Sequence, residues 1–172
     1  EMARLSRAFE RASSGERELL LVTGYAGVGK SALVHEVLKP VTATGGIFIS
    51  GKFDQLNRNV PYSALTPAFR GLVSQVLGER DEVVDMWRIR LNQVLGDNAG
   101  VLASVIPDLA LILGEAVHAC EDAAVDPRLR FRMAFRDFLA AFAATEHPLV
   151  LFLDDLQWAD AASIELIELI AR

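Results

Sequence analysis

At 172 residues, with 52% apolar and 23% charged side chains, the chain is long enough for one domain and apolar enough to bury a core, which excludes a disordered tail. A formal net charge of −6 with no basic stripe to offset it argues against nucleic acid as the main partner. Cys120 is the single cysteine, so an internal disulfide is excluded and a reducing, cytoplasmic setting is expected.

The mean hydropathy of +0.28 calls for a large core or an apolar surface that meets a partner. The longest apolar stretch, 101–113, is interrupted by Pro107 and Asp108, so no membrane span is expected. The first residues, Glu-Met-Ala-Arg, carry no apolar signal region.

In chain order, 2–12 reads as an amphipathic helix with Leu5, Ala8, Phe9 and Ala12 on one face. Residues 18–23 hold the continuous run Leu19, Leu20, Leu21 and Val22, the pattern of a strand buried on both faces. Residues 31–38 read as a helix stopped by Pro40, and 47–50 as a second buried strand. The polar stretch 53–60 reads as a loop. Helices are expected over 61–77, with Leu65, Phe69, Leu72, Val73 and Val76 inward, and over 81–95, with Val84, Trp87, Leu91 and Leu95 inward. A further helical or irregular apolar segment, 96–114, follows around Pro107, then a connection over 115–125. Asp126-Pro127 opens a helix by capping and by the fixed proline angle, and Phe131, Phe135, Phe138 and Phe142 recur along it at core spacing. Residues 149–153 form a third apolar strand, and Asp160 caps a final helix. Continuous apolar strands alternating with helices predict an α/β fold with a mostly parallel sheet covered on both faces. Residues 61–125 stand apart as a helical insertion, and the pattern ends inside a helix, as a truncated domain would.

Gly24-Tyr25-Ala26-Gly27-Val28-Gly29-Lys30-Ser31 matches the phosphate-binding loop G-x-x-x-x-G-K-[ST] between a predicted strand and a predicted helix. Triphosphates bring charge that a tight loop can meet with successive backbone N–H groups and the positive end of a helix. The glycines allow the required angles, Lys30 is expected on the β- and γ-phosphates, and Ser31 is expected on Mg²⁺, with Ala32 completing the nucleotide contacts. Lysine is scarce here: Lys30, Lys39 and Lys52 are the only three. A chance match is expected in about one chain in a thousand of this length. Residues 149–155, Leu-Val-Leu-Phe-Leu-Asp-Asp, fit a Walker B strand. Asp154 is expected to hold the metal through water, and Asp155 to orient or deprotonate the attacking water. Taken alone, an Asp ending an apolar strand can equally cap a turn.

These segments, together with Gly51-Lys52-Phe53-Asp54-Gln55, Pro61-Tyr62-Ser63-Ala64-Leu65 and Leu153-Asp154-Asp155-Leu156-Gln157-Trp158-Ala159-Asp160, resemble the AAA-type ATPase module of the STAND class, the signal-transduction ATPases with numerous domains. The resemblance spans nearly the whole chain and is nearest to the ATPase region of large bacterial multi-domain signalling proteins. It implies a three-layer ASCE-type sheet, with an extra strand and its sensor residue between the P-loop strand and the Walker B strand. It also implies ATP or ADP with Mg²⁺, flanking kinase and sensor domains, and possible homo-oligomers, with neither nucleic acid nor membrane as partner. The missing strand puts autonomous hydrolysis in doubt while leaving nucleotide contact intact.

The reading is therefore an ATP-binding, Mg²⁺-dependent module that switches attached domains. A non-hydrolysing nucleotide-binding module and a small-molecule kinase are the alternatives; no loop cluster of arginines supports the last. Lys52, Asp54, Gln55, Arg58 and Asn59 read as a solvated loop, with a place near the γ-phosphate or a partner as the alternative. Gln157 faces either solvent or nucleotide. Arg128, Arg130, Arg132 and Arg136 read as a solvated basic helix face rather than an arginine finger. His35, His118 and His147 show no ligand spacing, and Cys120 has no activating context.

Overall fold

The computed structural model describes residues 2–25, 27–114, 126–143 and 147–171, apart from the side chains of Ser31, His35 and Val37. The expected connection 115–125, with His118 and Cys120, lies outside the described residues, as do Ala26 and the side chain of Ser31.

Strands β1 (Ile47–Lys52) and β2 (Leu149–Asp154) pair in parallel, with Ile47 opposite Leu149 and Lys52 opposite Asp154. Alternate side chains on such a ladder point to opposite faces. Ile47, Ile49, Leu149, Leu151 and Leu153 join the main core, whereas Phe48 and Val150 pack with Leu5, Phe9 and Val41 on the other side. Helices α1 (Met2–Ser13) and α2 (Lys30–Ala43) supply that second side. The main core is built by α3 (Leu65–Leu77), α4 (Asp81–Leu95), α5 (Ala99–Ala103), α6 (Leu109–Leu113), α7 (Pro127–Phe142) and α8 (Ala161–Ala171). The molecule is thus mixed α/β, mostly helical, with helices against both faces of a two-strand sheet.

Helix α7 starts where the sequence places it. Asp126 accepts from the Arg128 N–H at 2.9 Å, and Pro127 takes the first helical position. Its phenylalanines form the spine of the core. Phe69 meets Phe135 edge-on at 5.0 Å between centroids, Phe138 meets Phe142 at 5.0 Å, and Trp87 stacks on Phe142 at 4.2 Å. Asp160 caps α8, accepting the Ser163 N–H at 2.8 Å and the Ser163 hydroxyl at 2.6 Å.

Several expectations need correction. Residues 18–23 are not a strand: they carry no regular structure, and Leu19, Leu20 and Leu21 are 67%, 45% and 73% exposed. An apolar run becomes a strand only where a neighbour offers a ladder, and among the described residues none pairs with this segment. The register leaves the N–H and C=O groups of Leu149, Leu151 and Leu153 directed away from β1. That free edge faces a groove of about 560 Å³ lined by Leu139, Leu149, Leu151, Leu169 and Ile170, with Glu16–Glu18 at its margin.

Pro40 does not stop α2, which runs on to Ala43. Proline sits in the last turn, where the hydroxyls of Thr42 and Thr44 donate to the carbonyls of Leu38, Lys39, Pro40 and Val41. Arg130 is not on a solvated face. It lies two residues from Arg128 and Arg132, about 200° round the helix, so it turns inward to Asn98 while those two stay exposed. The helix expected from 61 begins at Leu65, and Phe53, read as loop, is fully buried.

Gly51 marks the tightest approach. A Cβ there would lie 2.2 Å from the Ala64 carbonyl oxygen and 3.3 Å from Leu153, so the 58–64 turn is laid directly on β1. Gly51→Ala is expected to cost about 3 kcal/mol by overpacking against backbone, read as a lowered urea midpoint. Phe138→Ala, at a site with no solvent exposure, is expected to cost about 3–5 kcal/mol. A melting temperature unchanged by Phe138→Ala would remove the aromatic spine from the account of stability.

Candidate nucleotide site

The glycine loop follows the unpaired segment and ends where α2 begins. Gly27 and Gly29 have φ of 80° and 92°, the left-handed region open to glycine at little cost. Gly29 is the residue before the first helical turn, and no side chain caps that turn. The first N–H groups of a helix lack internal partners, and the helix dipole adds positive character there. The loop is solvent-facing, with Tyr25 91% and Val28 66% exposed. Lys30 folds back over it, its ammonium donating to the carbonyl oxygens of Gly24 and Tyr25 at 2.9 Å each. The backbone of Ser31 and Ala32 lies in the first turn of α2, while Ala26 and the Ser31 hydroxyl are outside the described residues.

Two acids stand at the end of β2. Asp154 closes the strand, and its carboxylate accepts the N–H of Asp155 at 2.9 Å. Asp155 sits in the left-handed region, φ 55° and ψ 43°, at the head of a 3-10 turn over Leu156–Trp158. Asp visits that region more readily than most residues, though at some cost. The turn is closed by the Trp158 N–H donating to the Asp155 carbonyl at 2.9 Å. The Gln157 amide donates to Asp155 Oδ1 at 3.0 Å, and Lys52 Nζ lies 3.4 Å from Asp155 Oδ2. The Gln157 hydrogen bond, set against a smaller opposing effect of burial and helped by Lys52 and by the charge of Lys30, holds the Asp155 carboxyl below its ordinary value. Asp155 is therefore ionised at neutral pH.

Asp154 and Asp155 thus stand at the end of β2, where Lys52 finishes β1. The charge of Lys30 is the smallest of the influences on Asp155. Gln157, itself exposed, donates its amide to Asp155. What the sequence reading missed is the pair between Lys52 and Asp155. The signal for it was the alternation of 47–52, which continues the strand two residues past the expected end.

A magnesium ion fits the donor set. Among the described residues no group of three or more His, Cys, Asp and Glu side chains is arranged to cage a metal. Mg²⁺ bound with nucleotide needs only one or two carboxylate or hydroxyl oxygens, with phosphates and water completing six. Asp154 offers a hard oxygen at the end of β2, opposite Lys52 of β1.

Comparison with known proteins agrees with this geometry. The hybrid signal transduction histidine kinase G of Dictyostelium discoideum is 39% identical over 170 residues, covering 99% of this chain and 5% of that protein. Histidine protein kinase 1 of Candida albicans is 22% identical over 87% of this chain and 7% of its own length. The chain therefore spans a small fraction of these multi-domain relatives. No solved structure gives a significant match. No helix among the described residues is long and apolar enough to cross a membrane. The family described as the AAA ATPase domain matches residues 1–172, and the chain belongs to it.

Proposed function

We propose that this chain is a P-loop ATPase module of the STAND kind, binding ATP with Mg²⁺ and acting as a nucleotide-driven switch within a longer cytoplasmic signalling protein. In this reading residues 1–172 form one ASCE-type, three-layer domain with 61–125 as its helical insertion. The observation that carries the reading is the glycine loop itself, left-handed at Gly27 and Gly29, which leads with Lys30 into the uncapped first turn of α2. Kinase and sensor domains flanking the module would read its state, as the two histidine kinase relatives suggest.

The chemistry asked of the residues follows from their placement. Gly24, Tyr25, Ala26, Gly27, Val28 and Gly29 present backbone N–H groups to the phosphates, and the uncapped start of α2, with Ser31 and Ala32, adds its own. Lys30 exchanges the carbonyls of Gly24 and Tyr25 for the β- and γ-phosphates. Ser31 and Asp154 hold Mg²⁺, which neutralises charge on the phosphate oxygens. Asp155, ionised, orients water toward the γ-phosphate and takes up its proton as ADP and phosphate form.

A non-hydrolysing nucleotide-binding module is the second reading. It is favoured by residues 19–22, which pair with no strand among the described residues, and by the Gln157 and Lys52 contacts at the Asp155 carboxylate.

Lys30→Ala is expected to weaken ATP binding at least about a hundredfold, since the loss leaves several phosphate charges without their fixed cation. Titration calorimetry would show it, and retained tight binding would count against the phosphate loop. Asp155→Asn is expected to keep ATP affinity within a few fold and to slow phosphate release by about 100-fold or more. Equal release rates in a longer chain that hydrolyses ATP would remove Asp155 from the water-activating role, whereas ATP binding without any phosphate release would favour the second reading.

A further inference from the structure

We propose that Lys52 reads the γ-phosphate: it pairs with Asp155 in the nucleotide-free chain and moves to the γ-phosphate oxygens when a nucleoside triphosphate binds. The inference rests on the nucleotide-binding reading above and adds to it a residue that separates triphosphate from diphosphate.

Position comes first. Helix α2 and strand β1 run in opposite directions, joined by a turn of three residues between Ala43 and Ile47. The helix has 14 residues and the strand 6, about 21 Å and about 20 Å of chain. The end of β1 therefore comes back level with the start of α2, which is Lys30. Parity then sets the face. Phe48 and Val150 point to the side of α1 and α2, and Lys52 and Asp154 stand at the same parity of their strands. Both consequently face the helix whose first turn carries the glycine loop.

The charges come second. Lys52 is 70% exposed, and its recorded partner among the described residues is Asp155. Gln157 occupies Asp155 Oδ1 and Lys52 occupies Oδ2. A carboxylate oxygen can accept more than one hydrogen bond, but a cation 3.4 Å from Oδ2 stands where water would be held. The weaker tie to open is the exposed ion pair, because such pairs contribute little in solvent. A γ-phosphate carries more charge than one carboxylate and offers several acceptor oxygens. Its arrival draws Lys52 away and uncovers Asp155 Oδ2. A diphosphate ends one phosphate short and leaves the pair in place.

The test compares Lys52→Met with the unaltered chain by calorimetry in Mg²⁺, using ADP and the imido analogue of ATP. The substitution is expected to weaken binding of the triphosphate about tenfold and to change ADP affinity less than twofold. Lys52→Arg, which keeps a cation of similar reach, is expected to recover most of the difference. A merely structural lysine would move both affinities together. If the unaltered chain binds neither nucleotide, the nucleotide-binding reading fails and this inference with it. If the unaltered chain binds both and Lys52→Met leaves their ratio unchanged, the role of Lys52 alone is overturned. Because Lys52 is mostly exposed, both variants are expected to melt close to the unaltered chain, and Lys52→Gln, which also removes the cation, carries the test if the Met variant does not fold.

Discussion

The parallel ladder between β1 and β2 is the constraint from which the rest of the molecule follows. Its register sets Lys52 opposite Asp154, so a cation and two acids finish at the same end of the sheet. Its parity sends Ile47, Ile49, Leu149, Leu151 and Leu153 into the large helical core and Phe48 and Val150 toward α1 and α2. A slip of one residue would exchange the faces of the strand that moved, turning Lys52 or Asp154 toward the leucines. Burial of unpaired charge is far costlier than the loss of a few ladder bonds, so the acids themselves help to fix the register. The outer edge of β1 is also attended to: the Gln75 amide reaches the Phe48 carbonyl at 3.4 Å.

The helical core serves this arrangement by holding β1 and β2 from one side. Helix α7 presents Phe131, Phe135, Phe138 and Phe142 to Tyr62, Phe69 and Trp87. Aromatic pairs of this kind bury large areas and prefer tilted or edge-on contacts, which restricts how the helices can shift. The contact of the 58–64 turn with Gly51 carries that rigidity to the strand end, one residue before Lys52. Opposite, α1 and α2 rest on the sheet through a small set of side chains: Leu5, Phe9, Val41, Phe48 and Val150. The site therefore has a firm wall, made by the strand ends, and a lightly held one, made by the glycine loop.

Much of this was legible in the residues because local physics decides it. The Asp126-Pro127 start of α7, the Asp160 cap and the inward faces of α3 and α4 depend on neighbours within a turn or two. Residues 18–23 failed for the opposite reason: a strand is a statement about a partner, and Leu19 to Val22 announce only that the run is apolar. Pro40 misled because its effect depends on how many turns remain to be broken, and near the end of α2 almost none do. Within the site, the sequence singled out Lys30, Asp154 and Asp155 by spacing. The Lys52 pair could not be read that way, since it joins residues brought together only by the ladder.

The contrast between the two walls bears on how such a module can switch. The glycine loop hangs between a segment without ladder bonds and the first turn of α2, and its lysine is tied to its own carbonyls. Ordering that loop around phosphates costs conformational entropy, about 1–2 kcal/mol for each residue fixed. Charge-assisted contacts to a triphosphate can offset this, whereas a diphosphate makes fewer of them. A ligand moves an equilibrium only by its differential affinity for the two states. If the strand ends were loose as well, binding would tighten the whole site and little difference between nucleotides would remain. With the acids fixed by β2 and the loop left pliant, the difference falls on the segment 18–30. That segment runs from the Arg11–Glu18 pair at its start to Lys30 at its end. Its first residue, Glu18, lines the groove at the edge of β2 that faces away from β1.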